Sequence, residues 1–116
     1  MGSKAVTALK VSCLQLAAGS DWKKNLDHSL RLAQKALSSK PDVLILPENF
    51  LWRGSSKQFE EIACRGSVSA LSLFQAFARR YHVSVLLGSL MMPSSRKGRY
   101  RNTSILLSET GKVEAS

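Results

Sequence analysis

Four consecutive aliphatic residues, Val43-Leu44-Ile45-Leu46, run straight into Pro47-Glu48-Asn49, and this segment limits the folds open to the chain more than any other. A continuous β-branched and aliphatic run bounded by prolines is the pattern of a strand covered on both faces. Pro41 closes the preceding helical pattern, because the residue before a proline is pushed out of the helical region. A carboxylate placed directly after such a strand stands at the carboxyl end of a sheet, where α/β proteins put their sites. Partial burial there would suit Glu48 to general-base work; a capping or loop-bridging glutamate is the alternative.

The flanking segments extend the pattern. Val6 to Ala17 mixes alternation with a short apolar end and reads as a first strand, broken by Gly19-Ser20-Asp21. Ser20 or Asp21 is placed to cap a helix whose apolar stripe is Trp22, Leu26, Leu30, Ala33 and Leu37. After the turn-rich Arg53-Gly54-Ser55-Ser56, the spacing predicts a short helix from Lys57 to about Cys64 and a longer one from Val68 to Arg80. Val83 to Gly88 repeats the buried-strand pattern, Pro93 to Gly98 reads as a loop, and Asn102 to Leu107 as another strand. Ser108 to Gly111 is a turn into a further hairpin arm at Lys112 and Val113. The order β, α, β, α, β, β predicts an α/β architecture, with helices on one face of a parallel or mixed sheet.

Composition narrows the class. At 116 residues the chain is sized for one domain. Its 44% hydrophobic and 22% charged residues are globular values. Lys and Arg number 17 against 8 for Asp and Glu, a balance of +9. No apolar run nears the ~20 residues of a membrane span, and no targeting motif is met, so a soluble, cytoplasmic protein without membrane contact is expected. Cys13 and Cys64 fit neither a disulfide framework nor a metal-ligand spacing. Cys13, central in the first strand, reads as a small buried hydrophobe, and Cys64 as structural. His28 and His82 lack a second ligand at metal spacing and read as surface or capping residues. Neither a metal nor a cofactor is expected.

Asp42-Val43-Leu44-Ile45-Leu46-Pro47-Glu48-Asn49-Phe50, with the strand Val11 to Leu16 and the helix from Asp21, resembles the amino-terminal part of the nitrilase, or carbon-nitrogen hydrolase, superfamily. Val85-Leu86-Leu87-Gly88-Ser89, then Arg101-Asn102-Thr103-Ser104-Ile105-Leu106-Leu107 and the turn at Thr110-Gly111-Lys112, resemble later motifs of that family in order and spacing. The family places Tyr directly before Asn-Thr, whereas here Arg101 intervenes after Tyr100.

The resemblance implies a share of a four-layer α-β-β-α sandwich, namely one sheet with helices on one face. It also implies hydrolysis of a non-peptide amide or nitrile C–N bond by a Glu, a Lys and a Cys. The Cys thiolate attacks the amide or nitrile carbon, the Glu relays protons, and the Lys stabilises the oxyanion. Carried over, the Glu is Glu48. The Lys and Cys belong to later motifs, so residues 1–116 are expected to form an incomplete amino-terminal part of the domain, inactive alone. Lys112 stands ahead of the family lysine's place, within the turn. Trp52, four residues beyond Glu48, would line the substrate pocket, though a packed loop aromatic fits equally. The expected partners are a small-molecule amide or nitrile and further copies of the chain as a homo-oligomer; the sheet face left without helices is expected to make the isolated chain associate or dissolve poorly. A rival reading rests on Arg96-Lys97-Gly98-Arg99-Tyr100-Arg101: a non-catalytic module that binds a partner chain, a polyanion or nucleic acid through a basic surface. Against nucleic acid, 7% aromatics supply few stacking platforms, and a solvated hairpin loop is the simpler account.

Overall fold

The computed structural model describes residues 8–116. Val43–Leu46 is the strand that the aliphatic run predicts, β2 in chain order, and it lies between β1 (Val11–Cys13) and β3 (Ser84–Pro93), both parallel to it. The sheet continues through β4 (Tyr100–Leu107) and β5 (Val113–Ala115), each antiparallel to its predecessor, in the order β1-β2-β3-β4-β5. Helix α1 (Trp22–Ala36) joins β1 to β2. Between β2 and β3 come a 3₁₀ turn (Ser56–Gln58), a short helix α2 (Phe59–Glu61), a π-helical turn (Ile62–Gly66) and helix α3 (Ser67–Tyr81).

Local chemistry sets the helix ends. Asp21 caps α1, its carboxylate accepting the N–H groups of Lys23 at 3.1 Å and Lys24 at 3.2 Å, which satisfies donors that a helix N-terminus leaves orphaned. Past α1, a 3₁₀ turn at Leu37–Ser39 ends on Lys40, held left-handed at φ 52°. His82 closes α3 in the same conformation, its N–H bonded to the Ala78 carbonyl, and is the capping residue expected.

Both helices pack on one face of the sheet. Register places Leu44 opposite Val85 and Leu46 opposite Leu87, and Val85 and Leu87 opposite Leu107 and Ile105. All six are buried, in one core with Leu26 and Ala33 of α1 and Ala70, Phe74, Phe77 and Ala78 of α3. Alternation along a strand sends Val43, Ile45, Leu86 and Leu106 to the opposite face, where they are only half-buried. β2 is therefore covered on one face rather than two, because no second layer is present among the described residues.

Other elements differ from their patterns. The first strand has three residues instead of the stretch from Val6 to Ala17; Val6 lies outside the described residues, and beyond Cys13 the ladder keeps one bond, Leu14 N–H to the Ile45 carbonyl at 2.8 Å. As an edge strand it leaves both Val11 and Cys13 exposed, which corrects the expectation of a buried Cys13. The two helices expected after Arg53 are one continuous run, because the π turn, with Ile62, Ala63 and Gly66 buried, carries α2 into α3 without a break. Strand β3 runs five residues past Gly88, through a bulge between Leu87 and Leu90. Among the described residues no helix is long and apolar enough to cross a membrane.

Candidate active site

Pro47 ends β2 and Asn49 turns the chain in a left-handed conformation at φ 49°, which asparagine tolerates better than most residues. Glu48 lies between them at the carboxyl edge of the parallel strands. Three features of the neighbouring strands hold this turn. Gly88 comes so close to β2 that a Cβ there would sit 2.1 Å from the Leu46 carbonyl oxygen. The bulge that follows turns both Ser89 and Leu90 inward, where both are buried, and Ser89 Oγ accepts the Asn49 N–H at 2.8 Å. From β4, Asn102 Nδ2 donates to Glu48 Oε1 at 3.1 Å. The carboxylate is thus held from β4 while its backbone is held from β3.

Glu48 is exposed rather than partly buried, because the described residues lay no second layer over it. It borders three adjoining concavities. One of about 380 Å³ is lined by Glu48, Phe59, Met91, Arg99, Tyr100, Arg101 and Asn102 among others. A second, of about 470 Å³, adds Trp52 and Arg53, and a third, of about 260 Å³, reaches Leu16, Ala17 and Arg53. Trp52 therefore lines a concavity with Glu48 and is also a packed aromatic, 2% exposed. Its ring meets Phe59 edge-on at 5.7 Å, and Phe59 meets Tyr100 in the same way at 5.7 Å. The buried Trp52 Nε1–H has no hydrogen-bond partner among the described residues.

The remaining candidates do not join this cluster. Cys13 lines a separate concavity beside α1. Cys64 is exposed in the π turn. Lys112 stays in the turn before β5, its N–H bonded to Ser108 Oγ. His28 is exposed on α1. Among the described residues Glu48 thus has neither a thiol nor an amine beside it. Sequence reasoning assigned no role to Asn102, Ser89 or Gly88, although the Gly88-Ser89 and Asn102-Thr103 pairs both belong to the motifs that carried the resemblance.

A family model described as carbon-nitrogen hydrolase matches residues 10–116. The deaminated glutathione amidase of Synechocystis is 26% identical over 101 residues, which cover 86% of this chain and 37% of that protein. An amidase from a Nesterenkonia species superposes with a TM-score of 0.77 at 24% identity, over 92% of this chain and 41% of its own. The NitFhit protein of C. elegans does so with a TM-score of 0.84 at 19% identity, over 94% of this chain and 28% of its own. The structural likenesses establish the fold, and the chain spans well under half the length of each relative.

Proposed function

The chain belongs to the carbon-nitrogen hydrolase family, and from that membership we propose that Glu48 is the general base of a site that hydrolyses a non-peptide amide or nitrile. The observation that carries the reading is the hold on Glu48: a carboxylate at the end of β2, bonded by Asn102 and bordering three concavities. Such a carboxylate takes the proton of an attacking thiol and returns it to the departing amine, then activates the water that releases the acyl group. Asn102 is a positioning residue, since its amide fixes one carboxylate oxygen and leaves the other for the reaction. Trp52 lines one of the concavities with Glu48, which supports a place in the pocket wall.

The lysine and cysteine of this chemistry are not supplied by the described residues. The match over residues 10–116, spanning 37–41% of two relatives, supports reading this stretch as the glutamate-bearing part of the domain, with the half-buried sheet face as the surface on which the remaining sheet packs. Nesterenkonia amidase variants have been crystallised with butyramide and with acrylamide added at the active-site cysteine, which supports amides as the substrate class.

The test joins residues 8–116 to the complementary part of the Synechocystis amidase and measures ammonia release. A soluble, folded chimera should lose at least about a hundredfold in kcat on Glu48→Gln, the scale of a general base. The 116-residue chain alone should release no more ammonia than its own Glu48→Gln form. A folded, active chimera indifferent to Glu48→Gln would overturn the assignment, as would Glu48-dependent turnover by the chain alone.

A further inference from the structure

Resting on the reading of Glu48 as the base, we propose that Ser104 is a positioning residue for it, acting through the β3 bulge rather than by contact with the carboxylate or the substrate. Leu87 pairs with Ile105 and Leu90 with Thr103, so Gly88 and Ser89 together face the single residue Ser104. A bulge of this kind disrupts the ladder and leaves part of the backbone without its regular partner. The Ser104 hydroxyl donates to the Gly88 carbonyl, and so ties the bulge to β4 from a side chain.

Both bulge residues bear on the Glu48 turn. Gly88 lies against the Leu46 carbonyl and Pro47, Ser89 Oγ accepts the Asn49 N–H, and Glu48 stands between Pro47 and Asn49. Ser104 therefore fixes where β3 presses on the turn. Asn102, two residues before Ser104 on the same face of β4, bonds the carboxylate itself. One strand thus sets both ends of Glu48, the side chain through Asn102 and the backbone through Ser104 and the bulge. A shift of the bulge moves that backbone while Asn102 stays with β4, which strains the 3.1 Å bond between Asn102 and Glu48. Ser104 is exposed, so water can take over the Gly88 carbonyl when the hydroxyl is removed, and the loss of stability is small. Position is the greater loss, because a water is not anchored to β4, and misplacing a reacting group by about 1 Å costs up to about a hundredfold in rate.

The experiment compares Ser104→Ala, Ser104→Thr and Ser108→Ala. In the 116-residue chain, Ser104→Ala should displace the NMR signals of the Asn102 side-chain amide and the Asn49 N–H while lowering the urea midpoint by no more than about 0.5 M. Ser104→Thr keeps a hydroxyl on a residue suited to strands and should return both signals towards the parent. Ser108→Ala, at the other end of β4, removes the hydroxyl that accepts the Thr110 and Lys112 N–H groups; it should lower the midpoint by as much and leave both signals in place. In the chimera with the Synechocystis amidase, Ser104→Ala should lower kcat for ammonia release from butyramide about tenfold, with KM within about twofold of the parent, and Ser104→Thr should restore most of kcat. Unmoved signals in Ser104→Ala, equal displacement in Ser108→Ala, or a threonine variant no better than alanine would overturn the proposal. So would an unchanged kcat in a chimera that depends on Glu48. The two readings fail separately: a chimera indifferent to Glu48→Gln removes the base, whereas a Glu48-dependent chimera untouched by Ser104→Ala removes Ser104 alone.

Discussion

Replacing Gly88 by alanine tests the idea that the site is held by a close approach of two backbones. The added Cβ would lie 2.1 Å from the Leu46 oxygen, 2.4 Å from the Pro47 carbonyl carbon and 2.5 Å from the Pro47 oxygen. All three are main-chain atoms, so no side-chain rotation relieves the clash. Restoring ordinary contact requires β2 and β3 to separate by roughly 1 Å at this point. Overpacking of this kind costs about 1–3 kcal/mol, and straining the Asn49 N–H bond to Ser89 adds about 1 kcal/mol. Gly88→Ala should therefore be about 2–4 kcal/mol less stable than the parent. Urea unfolding followed by tryptophan fluorescence reads this as a midpoint lowered by roughly 1–2 M. Gly19→Ala is the matched control, with nothing within 4 Å of its Cβ and no left-handed backbone; it should stay within about 0.5 kcal/mol of the parent. The side-chain amide signal of Asn102 gives a second readout, since it should shift as Glu48 is carried away from it. A Gly88→Ala protein with an unchanged midpoint and an unchanged Asn102 signal would refute the reasoning.

Ser89→Ala removes the acceptor for a part-buried N–H and should cost about 1–3 kcal/mol, measured in the same urea assay; a loss below about 0.5 kcal/mol would mean that Asn49 finds another partner. Trp52→Phe gives up an indole N–H that has no partner, so it should cost clearly less than the ~3–5 kcal/mol expected for Trp52→Ala. Equal losses in the two would show that the indole N–H is bonded after all. The half-buried sheet face bearing Ile45 and Leu86 should make the chain self-associate, and the double change Ile45→Lys, Leu86→Lys should shift it towards monomer in sedimentation velocity while far-ultraviolet circular dichroism is retained. A wild-type chain that sediments as a monodisperse monomer would rule this out.

The elements that the sequence made legible are those whose information is local. The Val43–Leu46 run, the Asp21 cap and the apolar stripe of α1 each announce themselves within a few residues, and Glu48 could be singled out from its place after β2 and Pro47. What stayed hidden depends on partners far along the chain. Cys13 looks buried by its neighbours in sequence, but exposure is decided by whether another strand lies beyond β1, and among the described residues none does. The π turn at Ile62–Gly66 leaves no mark in the sequence spacing, since the chain stays helical through it from Glu61 to Ser67. Glu48 and Asn102 are 54 residues apart, and only the antiparallel return of β4 brings them together. Gly88 could be read as a strand end; its true role, to admit a neighbouring backbone, appears only once β2 is beside it.

Strand order in the sheet repeats strand order in the chain, and this bears on how the protein is made. After β1, each strand leaving the ribosome finds one neighbour already synthesised, and no pairing skips over an intervening strand. At ~5–20 residues per second, the hairpin joining Pro93 to Tyr100 is translated in about a second, far longer than the microseconds a hairpin needs to close. The parallel strands and both long helices can settle before the arginine-rich hairpin has emerged. Asn102 then arrives at a Glu48 turn that β3 already holds in place.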